Sequence, residues 1–282
     1  MIVAETRAQL REALGGPAAS APDSGRGAGT LVATMGALHR GHAALFELAA
    51  SRPGMRVVSI FVNPTQFGPN EDFARYPRQL AADLDLCRAH GIDVVFAPDV
   101  TQMYPGGDDR VTVDPGPSGT ILEGAHRPGH FRGVLTVVAK LFGLVSPRAA
   151  IFGQKDYQQL ALVSAMVDSL CLPIEVVAAE TVRDGDGLAL SSRNRYLSPE
   201  ERDSSLVLNQ ALAAGRAAAG EGAAAVLTAA QHTLQTCPAV RVDYLELLAP
   251  DLSELKGPGP ARLLVAATIG STRLIDNTAV SL

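Results

Sequence analysis

Through roughly the first 180 residues, short apolar, β-rich runs alternate with longer amphipathic stretches. The runs predict strands over 31–35, 57–63, 93–97, 111–114, 149–153 and 174–178. The stretches between them predict helices near 39–51, 74–90, 131–145 and 156–171. In the second of these, Leu80, Leu84 and Cys87 recur at i, i+4 and i+7, one face of a helix. Several strands are apolar at consecutive rather than alternate positions, as in strands covered on both faces. The whole predicts an α/β fold with a mainly parallel sheet and helices on both faces.

After Thr181 the pattern changes. Ser198 reads as an N-cap, Pro199 as N1 and Glu201 as the N3 partner of a capping box. Two Ala-rich helices follow, then strands over 240–248 and 261–269 and a terminal Leu274-Ile275. This is a smaller α+β unit, and the expected division is 1–180 and 181–282. The segment 15–29, rich in Gly, Ala, Pro and Ser, reads as a flexible surface loop between the first helix and the first sheet strand. The chain has no internal repeats.

Composition narrows the function classes. At 282 residues, with 47% hydrophobic and 19% charged, the chain can bury a substantial core, which excludes a mainly disordered protein. Its net charge of −5 argues against broad nucleic-acid binding, yet leaves room for a small basic pocket. Cys87, Cys171 and Cys237 lie far apart and form no CxxC pair, so they read as buried thiols in a reducing compartment. The charged, amphipathic N-terminus lacks the apolar core of a signal peptide. No apolar run approaches the roughly 20 residues of a membrane span. A soluble cytoplasmic protein is expected.

Candidate chemistry collects where predicted strands end. The run Leu31–His42 reads as a strand, a tight turn and a helix start, with Gly36 and Gly41 permitting close backbone approach. Open N–H groups at such a junction favour phosphate. His39 and His42, three apart on the first turn, place two imidazoles where both can donate to phosphate oxygens. A metal pair is the other option, though no third ligand is suitably spaced. At the end of the next strand, Asn63 and Gln66 are amides able to donate to a carboxylate or hydroxyl. Asp72, Asp83 and Asp85 follow, mostly as solvated charges, one of which could help hold Mg²⁺. His126 and His130 are separated by Pro128 and Gly129, which spoils a helical metal face; His130 and Arg132 then fall near a second helix start suited to an anion. Lys155 and Asp156 open another helix after a strand ending in Gly153, and Lys155 is a flexible charge able to follow a phosphate. The Gly-rich run 182–194, with Ser191, Ser192 and Arg193, has the donors of a mobile phosphate-closing flap.

Taken in order, TMGALHRGH, FVNPTQFGPNEDFARYPR, EGAHRPGHFRGVLTVVAKLF, FGQKDYQQL, LALSSRNRYLS, VDYLEL and STRLIDN resemble the pantoate–β-alanine ligase family over nearly the whole chain. The HxGH motif alone is shared by many nucleotidyltransferases and class I aminoacyl-tRNA synthetases; the ordered set is far more specific. The resemblance implies a Rossmann-like N-terminal domain binding ATP and pantoate, a smaller C-terminal lid, a homodimer and Mg²⁺ with ATP as cosubstrate. It implies that pantoate is activated to pantoyl adenylate with loss of pyrophosphate, and that β-alanine then displaces AMP. By the same resemblance His39, His42, Lys155, Ser191, Ser192 and Arg193 contact ATP phosphates, with His39, His42, Lys155 and Arg193 catalytic. Gly153, Asp156 and Val182 contact ribose and adenine, Gln66 and Gln159 hold pantoate, Met35 lies beside the substrates, and Asp83 is a magnesium-linked carboxylate. Arg40 stands where the family more often has an acidic residue, and is expected to face outward. Two other readings compete: a cytidylyl- or adenylyltransferase using the same HxGH site, and a tRNA-binding module, which the absence of a basic patch disfavours. Neither a nucleic-acid nor a membrane partner is expected.

Overall fold

The structure, a computed structural model, describes residues 1–15, 28–69, 71–107 and 111–282. Most of the loop expected at 15–29, and the side chain of Asp72, lie outside the described residues. In chain order the elements are β1 (Ile2–Ala4), α1 (Arg7–Ala13), β2 (Ala28–Thr34), α2 (Arg40–Ala50), β3 (Met55–Ile60), α3 (Leu80–Ala89), β4 (Val94–Phe96), α4 (Val100–Met103) and α5 (Glu123–His126). Then come α6 (His130–Val145), β5 (Ala149–Gly153), α7 (Tyr157–Ser169), β6 (Glu175–Ala179), α8 (Pro199–Ala217), α9 (Ala223–Gln235), β7 (Val240–Leu248), β8 (Pro260–Ile269) and β9 (Thr272–Ser281). The chain divides into two compact units, one of residues 1–153 and 162–179, the other of 154–161 and 180–282.

In the first unit six strands form one sheet in the order β1-β4-β3-β2-β5-β6, every pair parallel. Leu31, Val32, Val57, Val58, Val94 and Val95 are each no more than 1% exposed, which is why these strands are apolar at consecutive positions. The chain runs outward from β2 through β3 to β4, then returns to the other side of β2 with β5. The order therefore reverses between β2 and β5, and the crevice beyond the carboxyl ends of those two strands is where ligands bind in such sheets.

Helix α6 is apolar on most of its surface and buries Phe131, Val134, Leu135, Val138, Leu141 and Phe142. Its Gly133 is required by close approach. A Cβ there would lie 2.3 Å from the Thr65 carbonyl oxygen and 2.7 Å from the Gln66 nitrogen, so a larger residue would push away the turn after β3.

Four expectations change. Residues 111–114 form no strand: Val111 is 84% exposed and the Val113 N–H donates to Thr136 Oγ1 of α6 at 3.0 Å. Strand β1, three residues long and paired with β4, is too short for any periodicity to announce. Helix α3 starts at Leu80, because Pro77 lacks an N–H and restricts Tyr76 before it, and a 3₁₀ turn, Asp72–Ala74, ends where the helix was expected to begin. Only Cys87 of the three free cysteines is buried; Cys171 is exposed and Cys237 half-buried.

The second unit packs α8 and α9 on an antiparallel sheet ordered β7-β8-β9, with Leu208, Leu212, Val226, Leu263, Val265 and Ile269 in its core. The capping box of α8 is present as expected: Glu201 N–H donates to Ser198 Oγ at 3.2 Å and Ser198 N–H to Glu201 Oε2 at 2.9 Å. Strand β9 extends well beyond Leu274-Ile275, because its buried Asp276 and Asn277 interrupt the apolar pattern. Among the described residues no helix is long and apolar enough to cross a membrane.

Candidate active site

The turn after β2 uses its own amides up. Gly36 N–H donates to Thr34 Oγ1 at 3.3 Å, and Ala37 and Leu38 N–H donate to the two carboxylate oxygens of Asp83 at 3.0 and 2.8 Å. His39 is the N-cap of α2: its Nδ1 accepts from Gly41 N–H at 3.1 Å, while His39 N–H donates to His42 Nδ1 at 3.2 Å. Two imidazoles thus make the reciprocal pair that Ser and Glu make in an ordinary capping box. The open amides expected at this junction are not open. The bonds do something else. Each Nδ1 acts as acceptor, so each neutral ring carries its hydrogen on Nε2, the donor it can direct at an anion. The rings sit 4.2 Å apart between centroids.

Asp83 therefore has a task other than the one expected. It is 1% exposed, both oxygens accept backbone N–H groups, and a Cβ at Gly36 would lie 2.9 Å from its Oδ2. Gly36, at φ +83°, closes over the carboxylate and takes up a conformation that suits glycine. Among the described residues no cluster of three His, Cys, Asp or Glu side chains is placed to hold a metal. Asp85, on the exposed side of α3, pairs with Arg88 at 2.5 Å.

Beside this turn, after β3, stand Asn63 and Gln66. Asn63 is 1% exposed and fully engaged: its Nδ2 donates to Gln66 Oε1 and Gly133 O, both at 3.1 Å, and its Oδ1 accepts from Tyr104 Oη at 2.7 Å. It orients Gln66 rather than a substrate. Gln66 Nε2 rests 3.1 Å from Met35 Sδ, a weak acceptor, so turning it to a carboxylate or hydroxyl costs little. The structure thus brings Met35 and Gln66 together.

The backbone of Gln66 is held from the other side. Its carbonyl accepts from His130 Nδ1 at 2.8 Å, and Arg127 meets His130 Nε2 at 3.0 Å while forking onto Glu71. Burial, with the neighbouring Arg127 charge, pushes the His130 imidazole down to about 4, so it stays neutral. Burial alone would raise Glu71, but its hydrogen bonds to Arg127 and the Arg127 charge outweigh that and hold its carboxyl below the usual range. His130, expected near an anion, is a brace with both ring nitrogens occupied; Arg132 is exposed.

In the second unit, Lys155 lies in a 3₁₀ turn after Gly153, with its Nζ 3.6 Å from Asp156 Oδ1. Lys155, Ser191 and Asn194 line one small recess. Ser191 caps the 3₁₀ turn Ser192–Tyr196, its Oγ accepting from Arg193 N–H at 3.2 Å, so Ser192 and Arg193 follow directly from it. Val182 pairs with Leu190 across the loop through a 2.9 Å backbone bond. Asp156 is exposed, and Gln159, on the first turn of α7, is half-buried.

Residues 2–279 match the pantoate-beta-alanine ligase family model. The chain belongs to the pantoate–β-alanine ligase family. The ligase is 57% identical to a pantothenate synthetase of a Nocardioides species, over 98% of this chain and 84% of that one. It is 54% identical to the pantothenate synthetase of Salinispora arenicola, over 98% and 96%. A crystal structure of pantothenate synthetase from Thermus thermophilus superposes with a TM-score of 0.89 at 49% identity, covering 99% of both chains. A pantoate-beta-alanine ligase from Francisella tularensis, solved in complex with "Beta-gamma ATP and Beta-alanine", has a TM-score of 0.80 at 32% identity, over 99% and 97%.

Some side chains that hold these segments carried no local signal. Glu71 and Arg127 lie 56 positions apart, and Arg183 and Asp276 lie 93 apart. Glu71, Arg127 and Asp276 are visible only as charged residues inside longer family-like runs, and Arg183 only within the Gly-rich run 182–194, with nothing to say which partner each takes.

Proposed function

We infer that this ligase condenses pantoate with β-alanine in a reaction driven by ATP, forming pantothenate and releasing AMP and pyrophosphate. The observation that carries the reading is the pair of imidazoles beyond the carboxyl end of β2, each with its hydrogen directed to Nε2 by a bond accepted at Nδ1. Imidazole Nε2–H donors beside the switch point of a parallel sheet suit a nucleoside triphosphate.

The pantoate carboxylate attacks the α-phosphorus in line, the bond to the bridging oxygen breaks, and pyrophosphate leaves with the charge. His39 and His42 donate from Nε2 to the oxygens on which charge grows, and Lys155 and Arg193 supply full positive charge to the leaving group. Ser191 and Ser192 add hydroxyl donors to the phosphates, while Gly153, Asp156 and Val182 take the ribose and adenine. Gln66 and Gln159 hold pantoate by their amides, with Met35 filling the apolar side. In the second half-reaction the unprotonated amine of β-alanine attacks the acyl carbon, the acyl–oxygen bond breaks, AMP departs with that electron pair, and the nitrogen gives up one proton to solvent. In each step the protein's contribution is position and electrostatics.

Magnesium is assigned to the substrate, as Mg·ATP. The carboxylate nominated for it does not fit a protein-held ion, since Asp83 is buried and spent on two amides. No step is routed through such an ion. We assign residues 1–180 to ATP and pantoate and give 181–282 the role of a lid that carries Val182, Ser191, Ser192 and Arg193, with a homodimer as the assembly; the family resemblance supports all three. A reaction that consumes ATP supports a cytoplasmic location.

The test is exchange of labelled pyrophosphate into ATP with pantoate present and β-alanine absent. Exchange that needs pantoate supports the adenylate route, and exchange driven by another acid would overturn the substrate.

A further inference from the structure

The C-terminal motif around Ile275-Asp276-Asn277 stands out in the sequence, yet the reaction as described gives it no work. In β9 these two polar residues are each 4% exposed, an unfavourable place for polar groups unless they are bonded. Their partners lie on two separate segments. Asn277 Nδ2 donates to the carbonyl oxygens of Gln154 and Lys155, both at 2.9 Å. Asp276 takes the Arg183 guanidinium in a two-point fork, at 2.6 Å from Oδ2 and 2.9 Å from Oδ1. Arg183 reaches on to Gly187 O at 3.2 Å and forms an isolated bridge with Ala189, two residues before Ser191. Asn277 N–H closes the pair by donating to Asp276 Oδ1 at 2.8 Å.

We propose that Asp276 and Asn277 are positioning residues that set the Lys155 turn and the 183–193 loop in register, so that ammonium and hydroxyl donors converge on one recess. All of these bonds lie within the second unit, and Lys155, Ser191 and Asp276 line the same recess. An apolar residue at 277 would lose the hold on two carbonyls. A two-point Arg–carboxylate fork likewise fixes direction as well as distance.

The proposal rests on the reading that Lys155 serves the phosphates, and the experiment separates the two. Purified Asn277→Ala, Lys155→Ala and the double variant are compared with the parent by kcat and KM in the pyrophosphate exchange assay, with Tm measured alongside. Asn277→Ala is expected to lower kcat by roughly 10–10²-fold, the scale of a misplacement near 1 Å, with KM for pantoate nearly unchanged. In the Lys155→Ala background the same substitution is expected to change kcat by less than about twofold, because the group it positions is gone. Asn277→Ser, which keeps one donor on a shorter side chain, runs the same cycle if the alanine variant does not fold, and is expected to recover part of the rate. A slow Lys155→Ala enzyme with Asn277→Ala at the parent rate overturns the proposal alone. So does a loss that multiplies fully in the double variant. Lys155→Ala at the parent rate removes the proposal together with the reading it rests on.

Discussion

Replacing Asp83 by asparagine separates a clamp from a metal ligand. The carboxylate accepts from Ala37 and Leu38 N–H at 3.0 and 2.8 Å in a site 1% exposed. Asparagine keeps the shape, but offers one carbonyl oxygen and turns an NH₂ group toward the other amide. One bond to a charged acceptor is lost, worth about 1.5–3 kcal/mol. For a unit of this size that lowers Tm by roughly 3–12 °C. The turn it releases carries His39 and His42, and an ångström of displacement costs about 10²-fold in rate. The assay is thermal unfolding without magnesium, followed by kcat across a magnesium titration. The expected enzyme is less stable and slow at every magnesium concentration. An unchanged Tm with activity restored by excess magnesium would refute the clamp and return Asp83 to the metal.

Three other outcomes follow from the same geometry. His42→Ala removes an Nε2–H donor and is expected to lower kcat by roughly 10²–10³-fold; turnover near the parent value in pyrophosphate exchange would remove His42 from the phosphates. Gly133→Ala sets a Cβ 2.3 Å from the Thr65 carbonyl oxygen and is expected to cost about 1–3 kcal/mol and raise KM for pantoate, read by urea unfolding and initial rates. The His130 imidazole takes a proton in the native protein only near about 4, whereas the unfolded chain takes one near its ordinary value of 6.5. Its contribution is therefore complete above pH 6.5 and is lost as pH falls from there to about 4, by roughly 3 kcal/mol in total. Urea unfolding at pH 7 and pH 5 should show a smaller difference for His130→Gln than for the parent; equal differences would refute the assignment.

The fold was legible where the signal is local. Consecutive apolar positions in β2 to β5 reflect burial on both faces, and the Ser198 capping box is complete within four residues. The histidines and Lys155 were legible for the same reason, since each sits where a strand hands over to a helix. What could not be read was the fate of the amides around them. The N-terminus of α2 looked like an anion site built of open N–H groups, and it is not one, because Asp83 arrives from a helix more than 40 residues later. Short or polar elements were equally hidden: β1 is too brief for periodicity, and Asp276 and Asn277 break the pattern of β9.

Local order of apolar and polar residues was thus enough for the parallel sheet, the switch between β2 and β5 was consistent with it, and the candidate side chains could be named in advance. Which hydrogen bonds those side chains make came from pairings across long stretches of chain, Leu38 with Asp83, Gln66 with Arg127 and His130, Lys155 with Asn277. Buried donors and acceptors must be satisfied, and nothing in the local sequence says by whom. That is the physical reason the imidazole tautomers, and with them the donors suited to a phosphate, became known only once the chain was folded.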